Sequence, residues 1–356
     1  MDFASDNAAG ASRPILEALL ATNDEFCPAY GADRHSAAAE RALSALFERD
    51  VASFLVATGT GANALALGAL TPPWGAVFCH EHAHIIDDEC GAPEMFSGGA
   101  KLVGLAGAIG KITPAALKET LARFPRGLVK QVQPATLSLS QATECGTIYS
   151  CAEIAEIAAI AHAAGLSVHM DGARFANAII ALGCTPAEMT WKAGVDLLSF
   201  GATKNGALAC EAAIFFDRQR AADFAYQRKR GGHTLSKGRF LGVQMCAYLG
   251  DDHWLDLARH ANASAARLEA GLRRAAGVRI PWPRQVNELF VILPRRADAA
   301  LKAAGARYYD WGARSLSPEE APRQDEVFVR LIASFATKEA DIDRFVAIVS
   351  DSAIAT

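Results

Sequence analysis

Up to Gly238, short apolar runs rich in β-branched residues alternate with alanine-rich stretches of helical period. That alternation restricts the fold more than any other feature of the chain. Residues 51–57, 76–79 and 102–105 read as strands and 62–70 as a helix. A helix is expected over 114–123, with Thr113 as N-cap and Pro114 in its first turn. A strand at 128–132 and a helix at 152–164, closed by Gly165, precede strands at 167–170, 195–200 and 212–216. Repeated strand–helix units of this kind predict an α/β fold, a mostly parallel sheet flanked by helices, with active groups gathered at the strands' carboxyl ends.

After Gly238 the texture changes. A helical pattern runs over 240–276 and is broken at Pro281-Trp282-Pro283. Strand candidates at 289–293 and 327–332, a final helix at 338–350, and a loop with short strands over 295–323 predict a smaller α+β C-terminal domain. The expected division is a large domain over 1–239 and a small one over 240–356. A chain of 356 residues, 51% hydrophobic, can bury a large core. Its net charge of -4 carries no electrostatic footprint for nucleic acid. The sequence has no long apolar run suited to a membrane span, and its polar start (1–7) does not read as a signal peptide. Eight cysteines without a C-x-x-C pair fit a reducing compartment, so a cytoplasmic location is expected.

Two motifs fall at the ends of predicted strands: H-M-D-G-A-R at 169–174 and S-F-G-A-T-K-N-G at 199–206. Chemistry that forms a Schiff base on a pyridine aldehyde needs both a carboxylate and a lysine. Asp171 would keep the ring nitrogen protonated, and Lys204 would hold the aldehyde as an imine until substrate displaces it. The plainer readings are a helix N-cap for Asp171 and a solvated loop lysine for Lys204. T-G-T-G-A-N at 58–63 follows a strand and opens a helix, a setting in which backbone N–H groups can cradle a cofactor phosphate. It lacks the lysine of the phosphate-binding loop and the glycine spacing of dinucleotide folds, and a simple helix-entry turn is its alternative.

H-E-H-A-H at 80–84 resembles a metal site, since alternate residues of a strand share a face. A helix starting near Ala83 would spoil that convergence, so no metal is expected. The better use is His84 lying flat over the cofactor ring; His80 is expected to have no role, and His82 is left open. Arg330 lies in the apolar run V-F-V-R-L-I, where an arginine needs a partner: a bound carboxylate or a structural salt bridge. Tyr30, in a loop, could close over a ligand. Ser5 stands near the terminus, where an N-cap or a disordered end is the plain reading.

The stretches F-A-S-D-N, A-Y-G-A-D, T-G-T-G-A-N, A-H-I-I-D-D-E-C-G-A-P-E, Q-A-T-E-C-G-T-I-Y, M-D-G-A-R-F-A-N and F-G-A-T-K-N-G resemble the low-specificity L-threonine aldolases. These are pyridoxal-phosphate enzymes of the aspartate-aminotransferase fold group (fold type I), and the branch acting on phenylserine-type substrates is similar too. The resemblance covers nearly the whole chain, most strongly from Phe3 to Arg239. It implies that Lys204 forms the imine, Asp171 pairs with the ring nitrogen and His84 stacks on the ring. Gly59 and Thr60 would hold the phosphate, with Lys237 as a second phosphate contact. Ser5, Arg174 and Arg330 would bind the substrate carboxylate. Tyr30 would lie over the substrate from a neighbouring subunit, in a homodimer or homotetramer with sites at the dimer interface.

Two departures concern substrate preference. Where many relatives carry a histidine near the β-hydroxyl, this chain is read as having Thr143, and Gly31-Ala32-Asp33 replaces Gly-Asp-Asp. The implied reaction is retro-aldol cleavage of an L-β-hydroxy-α-amino acid to glycine and an aldehyde, with His84, His82 or an ordered water as candidate base. Another pyridoxal-phosphate reaction (transaldolase, β-eliminating lyase or aminotransferase) is the alternative. A metal-dependent hydrolase built on His80, His82 and His84 and a binding-only relative are the other classes; the latter would be expected to have lost Lys204.

Overall fold

The computed structural model describes residues 1–354. Seven strands form the main sheet: β1 (Ala52–Val56), β2 (Gly75–His80), β3 (Lys101–Leu105), β4 (Gln133–Ser140), β5 (Ser167–Gly172), β6 (Leu197–Gly201) and β7 (Glu211–Phe215). Their order is β1-β7-β6-β5-β4-β2-β3. Only β7 runs antiparallel to its neighbours, β1 and β6; the other pairings are parallel. Every residue of β2 and β7 is buried, the mark of strands covered on both faces.

Local chemistry explains the helices that cover the sheet. Thr58 caps the helix Gly59–Leu70 by accepting from Gly61 N, and small residues such as Ala62, Ala64 and Ala66 let that helix lie close to the strands. The helix Cys151–Ala163 opens with a capping box, in which Ser150 and Glu153 each satisfy the other's backbone N–H. Under the sheet, Phe47, Phe175, Phe200, Tyr248 and Trp254 pack edge-on and stacked into one aromatic cluster.

A second, three-stranded antiparallel sheet comprises β8 (Glu288–Pro294), β9 (Tyr309–Asp310) and β10 (Glu326–Ile332), in the order β8-β10-β9. Its core holds Leu289, Val291, Val329, Leu331 and Phe345, and also Phe3 from the other end of the chain. Phe3 N donates to Arg307 O at 2.8 Å, and Ile332 N donates to Phe3 O at 2.9 Å. The start of the chain is thereby pinned to the small sheet. Among the described residues no helix is long and apolar enough to cross a membrane.

Three expected elements differ. Residues 128–132 are turn, with Val129 98% exposed, and the strand begins at Gln133. Polar residues interrupt that strand (Q-P-A-T-L-S-L-S), so the apolar run beside it was the wrong signal. The helical pattern over 240–276 is two helices, Arg239–Leu249 and His253–Leu272, parted where Asp251 and Asp252 take φ of 50° and 55°. The 295–323 stretch read as loop contains the helix Arg295–Ala303, whose Ala297 and Leu301 are buried although its face is otherwise charged.

Gly201 closes β6 against the turn after β5: a Cβ there would lie 2.8 Å from Ala173 Cα, Ala173 O and Gly172 O. Gly201→Ala must push the two strand ends apart. It is expected to destabilise the protein by about 1–3 kcal/mol, read as a lower urea midpoint with an unchanged slope.

Candidate active site

A cavity of about 420 Å³ opens at the carboxyl ends of β1, β4, β5 and β6. A second, of about 420 Å³, reaches toward the small sheet and shares Asn7, His84, Asp88, Glu144, Arg174 and Lys204 with the first. Parallel pairing of β5 with β6 sets Asp171 opposite Ser199, so Lys204, in the turn Thr203–Asn205 just beyond β6, faces the same cavity.

Asp171 is 7% exposed and its carboxylate is fixed on both oxygens. Ala173 N donates to Oδ1 at 2.9 Å and Asn63 Nδ2 to Oδ2 at 2.8 Å. The same Asn63 amide donates to Glu89 Oε1 at 2.9 Å, which also lies 2.8 Å from His84 Nδ1. A chain of contacts, Asp171–Asn63–Glu89–His84, therefore runs beneath the cavity floor. Its hydrogen bond to Glu89 raises the His84 pKa, while burial raises that of Glu89. Gly59 and Thr60 lie at the first turn of their helix on the cavity wall, and a Cβ at Gly59 would meet nothing within 4 Å. Free helix N–H groups beside open space suit a phosphate.

The two arginines behave differently. Arg174 is already paired: Nε and Nη2 donate to Asp6 at 2.8 and 3.1 Å, and Nη1 lies 3.3 Å from Glu288. Burial alone would raise the Asp6 carboxyl, but Arg174 and Lys204 outweigh it and hold it below its ordinary value. Burial raises Glu288, with Arg174 and Arg330 partly offsetting it. Arg330 has no ion pair among the described residues; its buried Nε lacks a hydrogen-bond partner, and its guanidinium stands 4.3 Å over the Trp311 ring. Of the two readings the sequence allowed for Arg330, the structural salt bridge is not formed. Ser5 lines the second cavity and caps a short turn by accepting from Asn7 N.

Tyr30 and Lys237 fall outside both cavities. Tyr30 is 56% exposed, donates its backbone N–H to Ser236 O at 3.0 Å, and lines a different cleft with Gly31 and Gly238. Lys237 is exposed beside it. Thr143 lines the first cavity but is fully buried, its hydroxyl 2.8 Å from that of Thr147. The three histidines do not converge: His80 Nδ1 accepts from His82 N, His82 lies against Asp87, and His84 against Glu89. Among the described residues, the one group whose potential ligand atoms come within 4.8 Å of one another is Glu25, Cys27 and His35, which line neither cavity.

The model of the beta-eliminating lyase family matches residues 2–295. The low specificity L-threonine aldolase of Pseudomonas aeruginosa is 43% identical over 307 residues, 86% of this chain and 88% of the relative. The chain belongs to the beta-eliminating lyase family, among its L-threonine aldolases. The threonine aldolase of Leishmania major superposes with a TM-score of 0.90 at 30% identity, covering 98% of both chains. A serine palmitoyltransferase from Sphingomonas wittichii, at 16% identity and a TM-score of 0.70 over 99% of this chain and 86% of that one, shares the fold alone.

For this member of the aldolase family, sequence reasoning passed over Asn63, Glu89, Asp6, Glu288, Glu211 and Glu144. Each is a polar residue of the site, and five are acids. Glu211, on β7, accepts from Ala202 N at 2.7 Å behind Lys204, and burial pushes its carboxyl up to about 7. Asp6, Asn63, Glu89 and Glu144 sat within quoted motifs, and the signal available was a polar residue placed where helix or strand packing buries it.

Asp6→Asn would leave the Arg174 guanidinium with Glu288 alone. Removing one partner of a buried pair is expected to cost about 3–5 kcal/mol. Because the folded Asp6 pKa is depressed, its contribution is fully present above its ordinary value of 3.8 and is lost as pH falls through the folded value. Urea unfolding should therefore show the largest gap between wild type and variant near neutrality and a shrinking gap in acid; a gap constant down to pH 3 would contradict the pairing.

Proposed function

We propose that this protein cleaves L-β-hydroxy-α-amino acids of the threonine, allo-threonine and phenylserine type to glycine and an aldehyde, reversibly, using pyridoxal 5'-phosphate. The observation that carries this reading is the meeting of Asp171, Lys204 and Arg330, which has no ion pair among the described residues, around two joined cavities. The residues fit the cofactor: a buried carboxylate for a pyridinium, an amine for an aldehyde, and a helix N-terminus at Gly59 and Thr60 for a phosphate. Bound there, the cofactor supplies an electron sink for the pair left on Cα when the Cα–Cβ bond breaks.

The chain's own residues do the rest. Lys204, at the cavity, is the amine that would hold the cofactor's aldehyde. Asn63 and Ala173 N fix both oxygens of Asp171, the carboxylate that would meet the ring nitrogen. Glu89 orients the His84 imidazole as a cover for the ring. Arg330 and Ser5 receive the substrate carboxylate, with Arg174 as the third member of the grip, held in place by Asp6 and Glu288. A carboxylate gripped in this way would fix the orientation of Cα, and so which of its bonds breaks.

Tyr30 and Lys237 are assigned to the site of a neighbouring subunit, in a homodimer or homotetramer. Their shared exposed patch away from their own cavity supports that assignment. A cytoplasmic location belongs to the same reading. The division into two domains, expected at 239/240, is better placed within the helix His253–Leu272. Leu241, Met245, Trp254 and Ala258 pack into the large core, whereas Leu268 and Leu272 pack into the small one.

Incubation with L-threonine, L-allo-threonine and L-threo-phenylserine plus pyridoxal phosphate should give glycine and aldehyde in equal amounts. Ammonia and a keto acid without glycine would instead indicate β-elimination, the chemistry for which the family model is named. The purified protein should be yellow, and Lys204→Ala should lose the visible band. Arg330→Ala is expected to raise KM for the amino acid by about 10- to 100-fold, the worth of a charged hydrogen bond, with a smaller effect on kcat.

A further inference from the structure

We infer that Glu144 is the proton acceptor for the substrate's β-hydroxyl. The inference rests on the retro-aldol reading above and names a group which that reading leaves open. Glu144 lies in the turn after β4 and lines both cavities, between Lys204, Arg174 and His84. One carboxylate oxygen, Oε1, is positioned by His84 N at 2.9 Å and by the Ser140 hydroxyl at 2.6 Å. The other, Oε2, has no hydrogen-bond partner. A carboxylate held on one side and left unfilled on the other is prepared to accept a proton. Burial raises its pKa, partly offset by the Ser140 and His84 hydrogen bonds, and a carboxylate so raised is a stronger base once ionised.

The competing groups are buried or engaged. Glu89 and Glu288 also carry oxygens without a hydrogen-bond partner, but their side chains are fully buried, Glu89 tied to Asn63 and His84 and Glu288 ion-paired with Arg174. His82 lies against Asp87 and reaches only the second cavity. His84 Nδ1 is taken by Glu89, and the hydroxyl of Thr143, the residue that sequence comparison set near the β-hydroxyl, is turned to Thr147. The position near the β-hydroxyl that the resemblance implied for Thr143 thus falls to its neighbour in the chain. In the step itself, the hydroxyl proton moves to the Glu144 carboxylate and the O–H electrons become the carbonyl π bond. The Cα–Cβ bond breaks with its electrons going to Cα. Cα then gains a proton, which balances the one Glu144 has taken and gives up as the aldehyde leaves.

The test separates this role from cofactor and amino-acid binding. Glu144→Gln should lower kcat for L-threonine cleavage by about 100- to 10,000-fold. Exchange of the glycine α-proton in D₂O, followed by NMR, needs no hydroxyl proton and should stay within about threefold of wild type, by the same factor scale for an unused base. Wild-type kcat should fall on the acid side of a pKa above the ordinary glutamate range, a limb absent from the variant's residual activity. Cleavage unchanged in the variant, or exchange and cleavage lost together, would overturn the inference. Should Glu144→Gln not fold, Glu144→Asp keeps a carboxylate one methylene shorter: kcat should drop with the acid limb retained, and an undiminished kcat or a vanished limb refutes the role. A wild type that exchanges glycine yet yields no aldehyde from any β-hydroxy amino acid would sink the aldolase reading instead.

Discussion

The parallel pairing of β5 with β6 is the constraint on which the rest of the site depends. With Asp171 opposite Ser199 and Gly172 opposite Phe200, the two strands end level. The carboxylate of one and the lysine-bearing turn of the other then have one cavity to share. A slip of one residue would turn Asp171 to the other face of the sheet. Buried apolar partners on both faces, Met170 and Leu198 among them, hold the register. Gly201 lets the strand ends approach as closely as they do.

Upon that frame sits an unusual concentration of buried acid. Asp6, Glu89, Glu144, Asp171, Glu211 and Glu288 all lie near the cavities, answered by Arg174, Arg330 and Lys204. Such groups are costly to bury unless each is tied. Asn63 ties two of them, Arg174 another two, and backbone N–H groups at Ala173, Ala202 and His84 hold three. Several buried atoms still lack a hydrogen-bond partner, Asn63 Oδ1, Glu89 Oε2 and both Glu288 oxygens among them; two others, Glu144 Oε2 and Arg330 Nε, are ones that a substrate with a hydroxyl and a carboxylate could satisfy. Part of this arrangement depends on the first few residues. Phe3 bonds to the small sheet and buries in its core, and that carries Asp6 to Arg174 across a sequence separation of 168.

Much of this could be read from the residues in order. The strand–helix alternation, the glycine-bearing turn before the helix Gly59–Leu70, and the aspartate and lysine at strand ends are all local signals, set by side-chain period and turn chemistry. Where local signals misled, packing had overruled them. The strand at Gln133–Ser140 is half polar, yet Thr136 and Ser138 are buried because Thr136 bonds to Thr71 and Ser138 to His169. The helix Arg295–Ala303 is highly charged and needs only Ala297 and Leu301 on the core to form.

The sequence by itself determined the fold class and the family, because each is written in short stretches whose meaning does not depend on distant partners. Only the tertiary structure decided which charged groups are spent and which are free. It pairs Arg174 with Asp6 and Glu288 while leaving Arg330 without an ion pair among the described residues, and turns Thr143 inward while setting Glu144 at the cavity. Those outcomes hang on contacts between residues far apart in the chain, and no periodicity or motif encodes the distance at which a carboxylate meets its guanidinium.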